Sequence, residues 1–399
     1  MYINYRFANS IPKSITIYLY KVKYSIFANV TELKKFLYFS SLVFIGFASH
    51  GQLNNSYLYS PSSDSVTNKN ARFGFYLDNV NYIRNTEYRS KVENGATMAG
   101  TQIWPQGIYR ANDYISFKAG VFIQKDIGNT NFRMLIPTYT VCYTNKNIKV
   151  NFGTLDGSLD HNLIEPLYAM ENFINKRIEN GLQAKGKFKR LTYDTWLDWE
   201  KMIYKNSTTP EVFTVGISTD FKLVNHNNFM WSVPIQIMAK HEGGEIYQGP
   251  HKAIKSQYNF VYGTRFTKTR PGKVIYKIDL QGYLTFYEDG APSKADSFRD
   301  GTGNYLALSL HAKNIGVMFN YWDAHQFISP LGDPLFLCRS EKYPGDYYQY
   351  QKMAMIRFMY EATLLDNFRL VARLNNIYNI HEKTIDNVVE VYFKYNFGL

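Results

Sequence analysis

The chain ends Val389-Glu390-Val391-Tyr392-Phe393-Lys394-Tyr395-Asn396-Phe397-Gly398-Leu399, and its fold is read outward from there. Val389, Val391, Phe393, Tyr395, Phe397 and Leu399 share one face of an extended strand, with Glu390, Tyr392, Lys394, Asn396 and Gly398 on the other, because successive side chains of a strand alternate. This period of two runs to the last residue, and a globular domain rarely ends in mid-strand. The alternation recurs upstream. Phe368, Leu370, Ala372 and Leu374 stand against Arg369 and Arg373, and Ala354, Ile356, Phe358 and Tyr360 flank Arg357. Val274, Tyr276, Ile278, Leu280, Leu284 and Phe286 oppose Lys273, Lys277, Asp279 and Gln281.

Further strands are expected near 315–322, 302–312, 256–268, 229–240 and 211–222. The gaps between strands then alternate in length. Stretches 379–387, 323–349, 289–301 and 241–255 are long, whereas 362–365, 313–314, 269–272 and 223–228 are short. A soluble sandwich has no reason to sort its loops in this way, but a membrane-spanning barrel does. Before residue 211, strands are expected at 72–80, 111–124, 131–144 and 147–153, with a weaker one near 99–109. A patterned stretch over 182–200 changes parity between Phe188 and Leu191, which marks a bulge or a turn. The fold class is therefore all-β, an antiparallel transmembrane barrel of about 14 to 16 strands with one short helical insertion. Residues 154–181 supply the insertion. Pro166 opens it, Leu167, Met170, Ile174 and Ile178 recur at helical spacing, and Asn180-Gly181 stops it, which suggests a helix of about 14 residues.

Composition agrees. The 399 residues include 34 Tyr, 28 Phe and 5 Trp, and aromatics reach 17% against 20% charged, a ratio that excludes disorder. No long apolar run marks a helical membrane protein. Cys142 and Cys338 are too few for a disulfide framework. The net charge of +12 raises nucleic acid as a partner, yet Arg6, Lys13, Lys21, Lys23, Lys34 and Lys35 against Glu32 place much of it in the first 51 residues. No dense basic run follows, so no nucleic acid is expected.

Lys34 and Lys35 precede an apolar run of about 13 residues, Phe36 to Ala48, with small residues at 49 and 51, the pattern of a secretory signal cleaved before Gln52. The expected organisation is an N-terminal extension with signal peptide (1–51, signal 34–51), a linker (52–71) and a barrel (72–399). The signal lies far from Met1, which suggests a start near Val30 and an over-extended first 29 residues, or else a long n-region.

The signal, the alternating strands and the terminal Tyr395, Phe397 and Leu399 resemble porin-like outer-membrane β-barrels of Gram-negative bacteria. No specific family is matched motif by motif. The resemblance implies an outer-membrane location and an aromatic last strand read by periplasmic chaperones and barrel-insertion machinery, with outer-membrane lipid as a partner. Its terminal Phe is here Leu399.

If the apolar parity faces lipid, Lys118, Arg133, Lys149, Lys185, Lys187, Lys189, Arg265, Lys273, Lys277, Arg357, Arg369, Arg373 and Lys394 line the lumen, joined by the acids Asp78, Asp279, Glu361 and Glu390. Such a lining favours small anionic solutes. Asp156, Asp160, Glu165, Glu171 and Glu179 would form an acidic constriction loop, unless they are a solvated charge run.

Other chemistry is sparse. His161 with Glu165, and His241-Glu242 with His251, lack a zinc motif, so neither metal nor cofactor is expected. Ser309 with His311, or His325 with Ser329, have the types needed for a barrel hydrolase but no identified acid. Gly243-Gly244 and Gly301-x-Gly303 lack the strand-to-helix context of a phosphate cradle. Trp322, Phe327 and Phe336 suit interface anchoring or sugar stacking. The sequence thus reads as a passive porin-like channel and not an enzyme, its oligomeric state open. The alternatives are an outer-membrane barrel enzyme acting on lipid or lipopolysaccharide, and a plugged structural or polysaccharide-binding barrel.

Overall fold

The computed structural model describes residues 71–244, 254–291 and 296–399, and among these sixteen antiparallel strands close into a barrel. In chain order they are β1 (Phe73–Glu87), β2 (Thr97–Arg110), β3 (Ile115–Asp126), β4 (Met134–Thr144), β5 (Ile148–Thr154), β6 (Asn180–Lys187), β7 (Leu191–Lys201) and β8 (Glu211–His226). There follow β9 (Phe229–Gly243), β10 (Lys255–Thr269), β11 (Lys277–Asp289), β12 (Asp300–Ala312), β13 (Ile315–His325), β14 (Tyr350–Leu365), β15 (Phe368–Asn379) and β16 (Thr384–Gly398). Each strand pairs with its neighbours in sequence, and β16 returns to β1 with Tyr82 opposite Tyr392. Closure leaves no strand edge unpaired, the condition for backbone in lipid.

Both uncertain segments resolve toward the higher count. Residues 97–110 are a strand, and the parity change in 182–200 is a turn at 188–190 between β6 and β7. One expected strand start moves: 270–276 is a turn, so Val274 and Tyr276 precede β11. The export signal at 34–51, nearly all of the linker, and His251 lie outside the described residues.

The last strand shows the inside-out logic. Glu390, Tyr392 and Lys394 are at most 2% exposed, whereas Val389 is 47% exposed and Leu399 65%. Apolar side chains outside and polar ones inside is the reverse of a soluble core and suits a lipid surround. Most connections sort by rim: 88–96, 155–179, 202–210 and 326–349 leave one end, while 145–147, 188–190, 227–228, 313–314 and 366–367 close the other. The expected long stretch 379–387 shrinks to 380–383 because β15 and β16 extend into it, and 270–276 is longer than expected because β11 starts late.

The lumen is not hollow in its long-loop half. Residues 155–179 and 326–349 fold inward and share an apolar core, in which Leu167, Phe173 and Ile174 meet Phe327, Phe336, Trp322 and Tyr305. Trp322, Phe327 and Phe336 are thus buried inside, not anchored at an interface. The expected helix shrinks to Asn172–Asn175, preceded by a 3-10 turn at Ser158–His161. The cause is competition for hydrogen bonds. A helix would pair the Ala169 amide with the Glu165 carbonyl. Here the Ala169 amide donates to Leu331 O at 2.7 Å, and the Glu165 carbonyl accepts from Asp333 N at 3.0 Å.

Gly303 on β12 makes room for this core, since a Cβ there would sit 2.4 Å from the Trp322 ring. Gly303→Val is expected to displace Trp322 and destabilise the barrel by about 1–3 kcal/mol, as overpacking does. A lowered temperature for the heat-induced shift in gel mobility would measure it.

Candidate functional site

The lumenal cations, with Arg84 added to those the sequence suggests, are held in different ways. Some are clamped by acids of the insertion: Arg357 Nη1 lies 2.8 Å from Glu165 Oε1 and Arg373 Nη2 3.7 Å from it, while Arg84 Nη1 lies 2.8 Å from Glu171 Oε2. Lys149 Nζ lies 2.7 Å from Asp156 Oδ2, and Lys185 pairs with Asp160 and, at 3.5 Å, with Asp156. Others pair along the wall: Lys277 and Arg265 reach Asp279 at 2.8 and 3.4 Å, Arg373 Nε and Arg84 Nε reach Glu390 at 3.1 and 3.0 Å, and Arg369 reaches Glu361 at 3.8 Å near the surface. Lys118 and Lys394 are buried, and Lys187 is exposed at the end of β6. Three expected cations depart from the lining. Lys189 and Lys273 lie in short turns, and Arg133 lies in the 127–133 connection, with Nη2 2.6 Å from Asn175 Oδ1. These three belong to the barrel's ends because the strands stop before them.

His161 and Glu165 do not meet. His161 Nε2 lies 2.6 Å from Glu179 Oε2 and Nδ1 2.9 Å from Asp194 Oδ2, with the ring stacked on Trp196 at 3.6 Å. The Tyr168 hydroxyl and the Ser158 amide donate to the other Glu179 oxygen at 2.7 and 3.1 Å. Burial alone would lower the imidazole pKa, but Glu179 and Asp194 outweigh it and push it up to about 10. With a carboxylate on each ring nitrogen, His161 is an imidazolium brace and offers no free nitrogen to a nucleophile. Its stabilisation is full below the ordinary value of 6.5 and is lost as pH rises through about 10. The melting temperature is expected to fall over that interval, and His161→Asn is expected to flatten the dependence.

A second assembly lies at the long-loop rim on the lipid-facing wall. On β9, Ser232, Gln236 and Met238 are buried inward while Trp231 and Ile237 face outward, and His241 continues the outward row to the rim. Directly opposite on β10 stands Ser256, in the outward row of Tyr258 and Phe260. Ser256 Oγ and His241 Nδ1 are 2.9 Å apart. With Nε2 carrying the ring proton, the hydroxyl donates to Nδ1, the arrangement in which imidazole withdraws a serine proton. The His241 ring packs beside Phe213 at 5.1 Å, with Trp199 beyond at 5.4 Å. A Cβ on Gly243 would lie 3.0 Å from Nε2, so glycine leaves that edge of the ring uncovered.

The serine–histidine pairs suggested by sequence are not of this kind. Ser309 is buried inward opposite Asp279, and His311 stands opposite Lys277, both toward the short-turn rim. His325 faces outward against Tyr350, whereas Ser329 is buried and donates to Leu167 O at 3.2 Å. Ser256 escaped sequence reading because its partner lies across a long loop, and only the β9–β10 register brings them together. The outward alternation of Ser256, Tyr258 and Phe260 was the available signal. Tyr395, Phe397 and Leu399 sit at the short-turn end of β16.

Solved structures of several outer-membrane and other bacterial proteins are distantly similar. A loop-deletion mutant of OmpT, an outer membrane protein of Vibrio cholerae, has a TM-score of 0.49 and 8% identity over 82% of this chain and 99% of that one. OccAB3 of Acinetobacter baumannii gives 0.46 and 10% over 82% and 99%, and OprD of Pseudomonas aeruginosa 0.46 and 10% over 84% and 99%. These likenesses carry no inference about activity. No curated protein matches the sequence. A family model does, the Lipid A 3'-O-deacylase-type, over residues 65–399. That family is one of enzymes, which overturns the expectation of a chain that is not an enzyme. The pattern of strands and loops identified a barrel but is blind to two side chains meeting on its outer wall. With most of its length matched, this chain belongs to the Lipid A 3'-O-deacylase-type family.

Proposed function

We propose that the protein is an outer-membrane hydrolase that releases an ester-linked acyl chain from a lipid A-type glycolipid, with Ser256 as nucleophile and His241 as base. The observation that carries this is the 2.9 Å contact of Ser256 Oγ with His241 Nδ1 on the lipid-facing wall at the long-loop rim. That rim would face outward, so the pair stands at the level of outer-leaflet headgroups. Exposed Ile254, Tyr258 and Phe260 offer an apolar track for the acyl chain. Ser256 Oγ attacks the ester carbonyl as its proton passes to His241 Nδ1. The tetrahedral intermediate collapses, the sugar alkoxide leaves with that proton, and an acyl-serine remains. Water, deprotonated by His241, then attacks the acyl-serine, releasing the fatty acid and restoring the serine. Export would run through the 34–51 signal.

Incubating the solubilised protein with lipid A is expected to yield free fatty acid and a glycolipid lighter by one acyl chain, seen by mass spectrometry. Intact lipid A after prolonged incubation would overturn the reading. The inward-packed segments 155–179 and 326–349 weigh against a passive channel, because their apolar core occupies the lumen. Planar-bilayer recording is accordingly expected to show no steady conductance.

A further inference from the structure

We propose that the short-turn end of the barrel carries a binding site for a sugar-sized organic phosphate. A cavity of about 650 Å³ opens there, within the size range of small-ligand sites. Its mouth is formed by the turn 145–147 and the β6–β7 rim, and the 156–162 stretch of the insertion lines its inner part. This is the rim opposite Ser256, so the site is distinct from the proposed hydrolase pair and does not depend on it.

Lining charge selects the ligand's sign. Lys118, Lys149 and Lys185 reach in from three different strands, and Lys146 and Lys187 stand exposed at the mouth. Asp156 and Asp160 from the insertion engage Lys149 and Lys185, and Asp194, paired with His161, and Asp220 also line the cavity, so with Arg177 and the His161 imidazolium seven lining cations stand against four acids. Ammonium groups converging in a confined space create a positive potential, and lysine meets phosphate as a point charge. The remaining lining suits a polyol: the ring of Trp104 offers a flat face, and the side chains of Gln106, Asn147 and Thr192 offer donors and acceptors for hydroxyls.

The test is calorimetry on the full chain in detergent micelles with glucose 6-phosphate, inorganic phosphate and glucose as separate probes. Glucose 6-phosphate is expected to bind saturably, inorganic phosphate about tenfold more weakly, and glucose without detectable heat. Lys146→Glu with Lys187→Glu is expected to weaken glucose 6-phosphate binding by about tenfold or more, the charge-assisted contacts being lost. Both lysines are exposed, so the melting temperature should not move, and Ser256→Ala should bind like the parent. Absence of saturable binding, binding unchanged in the double variant, or equal affinity for inorganic phosphate and the sugar phosphate would each overturn the proposal.

Discussion

Ser256→Ala is expected to lower acyl-chain release by about three orders of magnitude or more, because it removes the only atom that forms the acyl-enzyme. The oxygen sits on an outward face, touching the His241 ring at 2.9 Å. Its loss leaves no buried cavity, and stability should change by less than about 0.5 kcal/mol. His241→Ala is expected to cost about as much activity, since an unassisted hydroxyl is a weak nucleophile. The double variant should be no worse than either single one, because residues acting as a unit are strongly non-additive. Product release timed by mass spectrometry reads all three. Undiminished hydrolysis by Ser256→Ala, with the barrel folded, would remove the pair from the mechanism.

Glu165→Ala should be the most disruptive single change inside the barrel. Glu165 is buried between Arg357 and Arg373, and its backbone carbonyl holds the 326–349 segment through Asp333 N. Removing the carboxylate strands the buried Arg357 guanidinium and leaves Arg373 on Glu390, a loss of about 3–5 kcal/mol for a broken buried pair. Burial alone would raise the Glu165 pKa, but Arg357 and Arg373 hold it below the usual carboxylate value. The stabilisation is therefore present above that usual value of 4.5 and is lost as pH falls through the lowered one. Thermal melts should show a large drop for Glu165→Ala near neutral pH that narrows in acid. By contrast Glu361→Ala, which breaks a half-exposed pair with Arg369, should cost no more than about 1 kcal/mol. Equal losses for the two would contradict the assignment of Glu165 as the clamp.

The wall and the interior differ in how far a linear reading reaches. An alternating stretch such as 389–399 carries its own evidence, because the side-chain period of a strand is set within a few residues. Loop lengths likewise follow from counting, and the ordering of long and short connections described the rims except at 380–383, which is four residues where a long stretch was expected, and at 270–276, which is seven where a short one was. The 14-residue helix expected in the insertion did not form, because a distant loop took the hydrogen bonds it needed. Aromatics at 322, 327 and 336 looked like interface anchors for a related reason: a ring in lipid and a ring in an apolar plug have the same local pattern.

The candidate site lay further out of reach. His241 was visible as a loop-flanking histidine, but Ser256 became meaningful only when the β9–β10 register set it opposite. His161 seemed to belong with Glu165, four residues away, yet its partners came from Glu179 and from Asp194 on a different strand. Pairing across a barrel depends on register and on what folds into the lumen, and neither is encoded by any local window. Local periodicity was enough to establish a transmembrane barrel with two unlike rims. Closure at sixteen strands, the plugging of its interior and the meeting of serine with histidine on its outer wall were decided by contacts between residues far apart in the chain.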